Sequence, residues 1–197
     1  MSREPHPELF EELRGNIGRW APAAGFAEVD AVEAAATSED GSIEFETPEC
    51  FGGNRGTGRV RTSGGFCKGN SALLVQAVRL ENLLKDRPVG VMKVDVEGHE
   101  LSVFEGCGSL LAAGRVRDML FECFLPHPNP VTEHLHACGY SLFQVQVRPT
   151  GPFPVLLPMV ERGGTNENLL ATREPERLME RFRRPGWLCL RGKRVLR

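Results

Sequence analysis

The stretch Val91-Met92-Lys93-Val94-Asp95-Val96-Glu97-Gly98-His99-Glu100-Leu101 leaves few folds open to this chain. A short apolar run ends in an aspartate, a glutamate, a glycine and a His-Glu pair. An amphipathic stretch then follows, with Leu101, Val103, Phe104 and, beyond Gly106, Leu110 and Leu111. That order describes a buried strand feeding a helix through a tight turn rich in polar groups. In open α/β sheets ligands bind in the crevice beyond the carboxyl ends of the strands, so this turn is where chemistry is expected.

The rest of the chain supplies partners for such a unit. Pro7 to Trp20 reads as a helix, with Leu9, Leu13, Ile17 and Trp20 on one stripe, Phe10 widening it, and Pro7 suited to the first turn. Residues 28–37 read as one strand, 37–41 as a turn and 42–45 as a second extended piece. Residues 48–70 carry many glycines and no periodicity, which predicts a long mobile loop. Residues 73–80 read as a strand and 81–85 as a helical turn. The helix after the central turn breaks near Gly106 and stops at Gly114. Residues 119–124 form another continuous apolar run, expected to lie parallel and next to the central strand in a sheet covered on both faces. Residues 130–138 are helical, 140–147 a strand, and 153–157, between prolines, a last antiparallel strand.

Composition is that of one ordinary globular domain over residues 1–197, with 41% hydrophobic and 25% charged residues. A formal net charge of -2 gives no reason to expect nucleic acid or an anionic membrane as partner. No apolar stretch approaches the roughly 18 residues that span a bilayer. The six cysteines form no CxxC pair, which favours reduced thiols and a cytoplasmic setting. Residues 171–197, basic toward the end, are expected to be a loosely ordered tail.

Lys93-Val94-Asp95-Val96-Glu97-Gly98-His99-Glu100-Leu101-Ser102-Val103-Phe104-Glu105-Gly106 resembles the signature of the FkbM family of S-adenosylmethionine-dependent methyltransferases. Glu4-Pro5-His6-Pro7-Glu8-Leu9-Phe10-Glu11-Glu12-Leu13 with Asn16 resembles the family's segment after its second strand, residues 35–41 its segment after the third, and Phe121-Glu122 its fifth. The similarity runs from Glu4 to about Leu170, specific over residues 95–106 and loose elsewhere. The resemblance implies a Rossmann-like class I methyltransferase sheet with helices on both faces and an antiparallel last strand. It implies S-adenosylmethionine as cofactor, with Glu4 at the ribose hydroxyls and Ala35, Ala36 and Thr37 near the adenine. The family's first strand, most of its second and its glycine-rich cofactor turn have no counterpart in these residues. Gly56-Thr57-Gly58 is no substitute, because no amphipathic helix follows it. A missing central strand would leave sheet edges exposed for self-association.

Methyl transfer to an alcohol needs donor and acceptor held in line and the acceptor's proton removed. His99 is the one side chain of the central turn with a reference pKa near neutrality, and is the candidate general base. Asp95 and Glu97 would orient it or face the cationic donor, Asp95 also beside the cofactor, and Glu122 would wall the same pocket. Structural roles fit these residues too: Asp95 as a helix cap, Glu97 and Glu100 as partners of the helix dipole, His99 as a hydrogen-bonded histidine, Glu122 as partner of a backbone amide, and Glu4 as a solvated terminal residue. Gly98 is expected to permit a backbone angle or a close approach that a side chain would forbid. The expected reaction is transfer to a hydroxyl of an acceptor, small or glycan-like, that the sequence does not name. The alternative is a non-catalytic binding module on the same fold. A metal hydrolase built on Asp95, His99 and Glu122 lacks both HExxH and a second histidine at ligand spacing.

Overall fold

The computed structural model describes residues 1–21, 28–47, 55–61, 71–149, 151–157 and 168–183, and the backbone of 189–191 and 194–196. The chain divides into two compact units, residues 1–85 with 96–108, and residues 86–95 with 109–197.

In the first unit, β1 (Ser2–Arg3) lies parallel to β2 (Ala31–Val32), and helix α1 (Pro7–Trp20) follows β1 with Pro7 in its first turn. Phe10, which the apolar stripe only flanks in sequence, is the buried residue of α1, whereas Trp20 at the end of that stripe is exposed. The single strand expected over residues 28–37 is instead two short ones. β2 ends where Ala34 N–H donates to Val32 O across a tight turn, and β3 (Ala35–Ala36) then pairs with a different partner, β6 (Ser71–Val78), in parallel. β4 (Gly41–Thr47) runs antiparallel to β6 on the other side, and β5 (Arg59–Val60) pairs with β4, giving the order β3-β6-β4-β5. β5 lies within the stretch read as one long loop; the parts of that loop at 48–54 and 62–70 fall outside the described residues. Ala35, Phe45, Val60 and Val75 form this unit's buried cluster, and helix α2 (Leu80–Leu84) follows β6.

Gly15 and Gly18 sit inside α1 with no atom near enough to meet an added Cβ. Glycine in a helix interior costs about 1 kcal/mol relative to alanine. The double substitution Gly15→Ala, Gly18→Ala is therefore expected to stabilise the protein by roughly 1–2 kcal/mol, read as a higher urea midpoint at unchanged slope.

The second unit holds a five-stranded sheet in the order β10-β9-β11-β8-β7. Its strands are β7 (Val89–Val94), β8 (Val116–Glu122), β9 (Ser141–Arg148), β10 (Gly151–Leu156) and β11 (Asn168–Thr172). β7 and β8 are parallel neighbours, as the two apolar runs predict, with Val94 opposite Phe121. β10 is antiparallel to β9 but is not the last strand of the sheet. β11, antiparallel to both neighbours, slots between β8 and β9. Residues 171–183, expected as loose tail, complete β11 and form helix α6 (Pro175–Phe182), while β12 (Cys189–Arg191) and β13 (Arg194–Leu196) make an antiparallel pair.

Packing explains that order. Leu178 of α6 buries against Phe143 and Leu170, while Leu142 and Ala171, one residue along each strand, are buried too, so β9 and β11 are covered on both faces. Asp118 of β8 accepts from Thr172 Oγ1 at 2.7 Å, Arg117 Nε at 3.0 Å and Arg177, tying α6 and β11 to β8. Burial raises the Asp118 carboxyl, but the bonds from Thr172, Arg117 and Arg177 outweigh it and hold the group below the usual range. Helix α3 (Glu100–Glu105) lies in the first unit. Helix α4 (Gly108–Ala112) passes into the second, which also contains helix α5 (Pro130–Ala137), ended by Gly139 at φ 84. Among the described residues no helix is long and apolar enough to cross a membrane.

Candidate active site

The central turn runs from Asp95 to His99, between the end of β7 and the start of α3. Glu97 and Gly98 have φ 51 and φ 93, two consecutive left-handed residues that reverse the chain. Gly98 adopts its angle without strain, as expected of it, whereas Glu97 takes on a conformation costing roughly 1–2 kcal/mol. The buried Glu100 carboxylate accepts the Gly98 N–H at 3.1 Å and so pins the turn. In sequence Glu100 looks like a dipole partner alone; the bond depends on the turn's conformation.

His99 occupies the N-cap position of α3 without a side-chain cap bond, and its carbonyl accepts from Val103 N. Asp95, four residues before that position, is not the cap. The His99 ring is half-buried, with Nε2 enclosed and without a hydrogen-bond partner among the described residues. Burial lowers its pKa below the ordinary histidine value against the upward pull of Glu100 and Glu105, so the neutral imidazole is the favoured form at neutral pH.

α3 is anchored by one face. Ser102 Oγ accepts from Ser38 N at 3.0 Å and meets Ser38 Oγ at 3.1 Å, and one helical turn later Gly106 lies against the Thr37 carbonyl. The sequence signal for this docking is the pair of small residues at i and i+4. Gly106 O also accepts from Glu81 N at 3.1 Å. Beside it, burial pushes the Cys107 thiol up to about 12, with Glu81 adding to the effect and Arg3 opposing it, so this cysteine is unreactive.

The residues assigned to the nucleoside divide by environment. Glu4, at the end of β1, donates its N–H to Val32 O and accepts from His6 N through Oε1 at 2.9 Å. Burial raises its carboxyl pKa, against the His6 bond and the nearby His6 and Arg55. It is thus a fixed, half-buried acid rather than a frayed end. Ala35 is buried in the cluster with Phe45 and Val75, and the Thr37 hydroxyl donates to Glu39 O at 2.6 Å, so both side chains are committed within the protein. Ala36, on the opposite side of β3, is half-buried.

In the second unit, Asp95 and Glu122 come together at one rim. Val94 and Phe121 are a registered pair of parallel strands, so Asp95 and Glu122 are the next residues on strands about 5 Å apart. Asp95 accepts from Lys93 Nζ at 2.6 Å, a partner two residues back on the same face. Glu122 is half-exposed, and no described residue donates to its carboxylate. Among the described residues no group of three or more His, Cys, Asp and Glu is placed to hold a metal ion.

A profile of the methyltransferase FkbM domain matches residues 2–142, from β1 through the start of β9. The chain belongs to the FkbM methyltransferase family. Membership in this S-adenosylmethionine-dependent family is what the central signature implied. This chain is 33% identical over 111 residues to the hexuronic acid methyltransferase AglP of Haloferax volcanii, a match that covers 55% of this chain and 41% of that protein. The chain thus spans about two fifths of the length of the curated relative it matches. A crystal structure of methyltransferase FkbM from Methylobacillus flagellatus superposes with a TM-score of 0.50 at 12% identity, covering 86% of this chain and 35% of that one. That likeness supports the mixed α/β fold.

Proposed function

We propose that this chain transfers a methyl group from S-adenosylmethionine to a hydroxyl oxygen of a sugar-type acceptor of the hexuronic acid class. One observation carries the reading: in a family of methyltransferases, the turn after β7 holds a half-buried imidazole whose pKa burial lowers, which favours its proton-accepting form. The acceptor class rests on the name of the archaeal relative.

The residues present suit a nucleoside in part. Glu4 keeps a second carboxylate oxygen for ribose hydroxyls, and Ala36 offers a small side chain beside which a base would fit; Ala35 and Thr37 support the strand instead. When bound, S-adenosylmethionine supplies a methyl group on a positively charged sulfur. The protein's part is then to hold the acceptor oxygen in line and to accept its proton at His99. Within the second unit, the neighbouring Asp95 and Glu122 carboxylates would accept hydrogen bonds from hydroxyls, and within the first, Glu97, in its left-handed backbone, would favour a cationic group. Among the described residues β7 pairs only with β8, and its free edge is where self-association would occur.

The test is calorimetric titration with S-adenosylmethionine, followed by incubation with methyl-labelled cofactor and a glucuronoside. Micromolar cofactor binding and a labelled sugar stable to mild alkali, hence an ether, are expected. A product cleaved by mild alkali would be a carboxylate ester, whose acceptor needs no base, and would remove the role given to His99. A chain that binds no cofactor and labels no sugar would be a binding module rather than an enzyme.

A further inference from the structure

We infer that the loop after β8 is a sugar-stacking platform, with Phe124 as the surface on which the acceptor's pyranose ring rests and Glu122 as the acceptor for its hydroxyls. The inference deepens the acceptor reading above and rests on it. Phe124 and Leu125 are 58% and 56% exposed directly beyond the carboxyl end of β8, the end of the sheet where ligands bind in α/β folds.

The loop that presents them is rigidly built. The buried Asn129 donates through Nδ2 to Leu125 O at 3.1 Å and Pro126 O at 3.3 Å, and accepts through Oδ1 from Val131 N and Thr132 N. Thr132, fully buried, returns the bond by accepting from Asn129 N at 3.0 Å, and its hydroxyl also meets His127 Nδ1 at 3.0 Å. One asparagine thus ties the loop to the first turn of α5 and holds the backbone of Leu125 and Pro126. The backbone directly after Phe124 is thereby fixed, and a preorganised loop loses little freedom on binding.

The chemistry selects the occupant. A pyranose has faces made of polarised C–H groups and an equator of hydroxyls, so it is recognised by an aromatic face together with hydrogen-bond acceptors. Phe124 supplies the first, and Glu122, two residues earlier with no bond from any described residue, supplies the second. Asp95 shares the rim with Glu122 but is paired with Lys93, which leaves Glu122 as the carboxylate there for the sugar's hydroxyls.

Saturation-transfer NMR with methyl β-D-glucuronoside and methyl β-D-glucoside tests this on the full chain. Ring C–H protons of both sugars should receive saturation, Phe124→Ala should weaken binding roughly fivefold to tenfold, and Phe124→Trp should retain it and add a fluorescence change on titration. Phe124→Ala with unchanged affinity for either sugar would overturn the platform while leaving the acceptor class standing. Absence of sugar binding by the unmodified chain would overturn both. Loss of a concentration-dependent dimer on Phe124→Ala, with sugar binding intact, would assign the patch to a second copy of this chain instead.

Discussion

If His99 is the base proposed above, replacing it by glutamine should lower kcat for methyl transfer by roughly 10²- to 10⁴-fold, the usual contribution of a positioned base, while cofactor affinity stays within about twofold because the proposed role is proton transfer and not nucleoside binding. The pH dependence gives an independent reading. Burial lowers the His99 pKa, so the acidic limb of kcat/KM should fall below the ordinary value of about 6.5. Glu105 opposes that shift by favouring the imidazolium, so Glu105→Gln should move the limb to still lower pH. A limb that stays in place in Glu105→Gln, or a His99→Gln protein with full turnover, would remove His99 from proton transfer. A purely structural histidine would alter stability without moving the limb.

Gly106→Ala is expected to destabilise the fold by about 3 kcal/mol, the upper part of the range for overpacked sites. An added Cβ would overlap the carbonyl of Thr37, a backbone atom that no rotamer change can move aside. The same glycine accepts the Glu81 N–H through its own carbonyl, so a shift of α3 away from Thr37 strains a second contact. Gly108→Ala, two residues on, meets no atom and is the matched control, with stability unchanged or slightly raised. Denaturant midpoints of the two variants provide the comparison; equal midpoints would mean that the helix yields to the added methyl group freely. Since Thr37 directly follows β3 and His99 is the N-cap of α3, Gly106→Ala should also misplace the turn and, if the proposed function holds, lower activity.

Several elements were legible because their causes are local. Pro7 opens α1, Gly139 ends α5, and the apolar runs of β7 and β8 follow from a sheet covered on both faces. Elements with distant causes were not. Residues 28–37 look like one strand, yet the chain changes partner at Ala34, from β1 to β6. α6 and the end of β11 fall in residues 171–197, which read as a tail, since Leu178 alone has too little periodicity around it to announce burial. Their burial comes from β8, β9 and the Asp118 bonds, all far off in sequence.

The same division runs through the candidate site. By itself the sequence determined which chemical groups stand in the turn after β7 and their order, and left Gly98 either a backbone angle or a close approach, of which the structure shows the angle, because side-chain type and local geometry belong to the chain at short range. Tertiary structure decided the surroundings of each. It lowered the His99 pKa by burial, committed Thr37 and Ala35 to holding the fold, turned Glu100 back onto Gly98, and set Glu122 beside Asp95. Burial, strand register and the approach of one helix to one carbonyl arise only when residues remote along the chain are brought into contact.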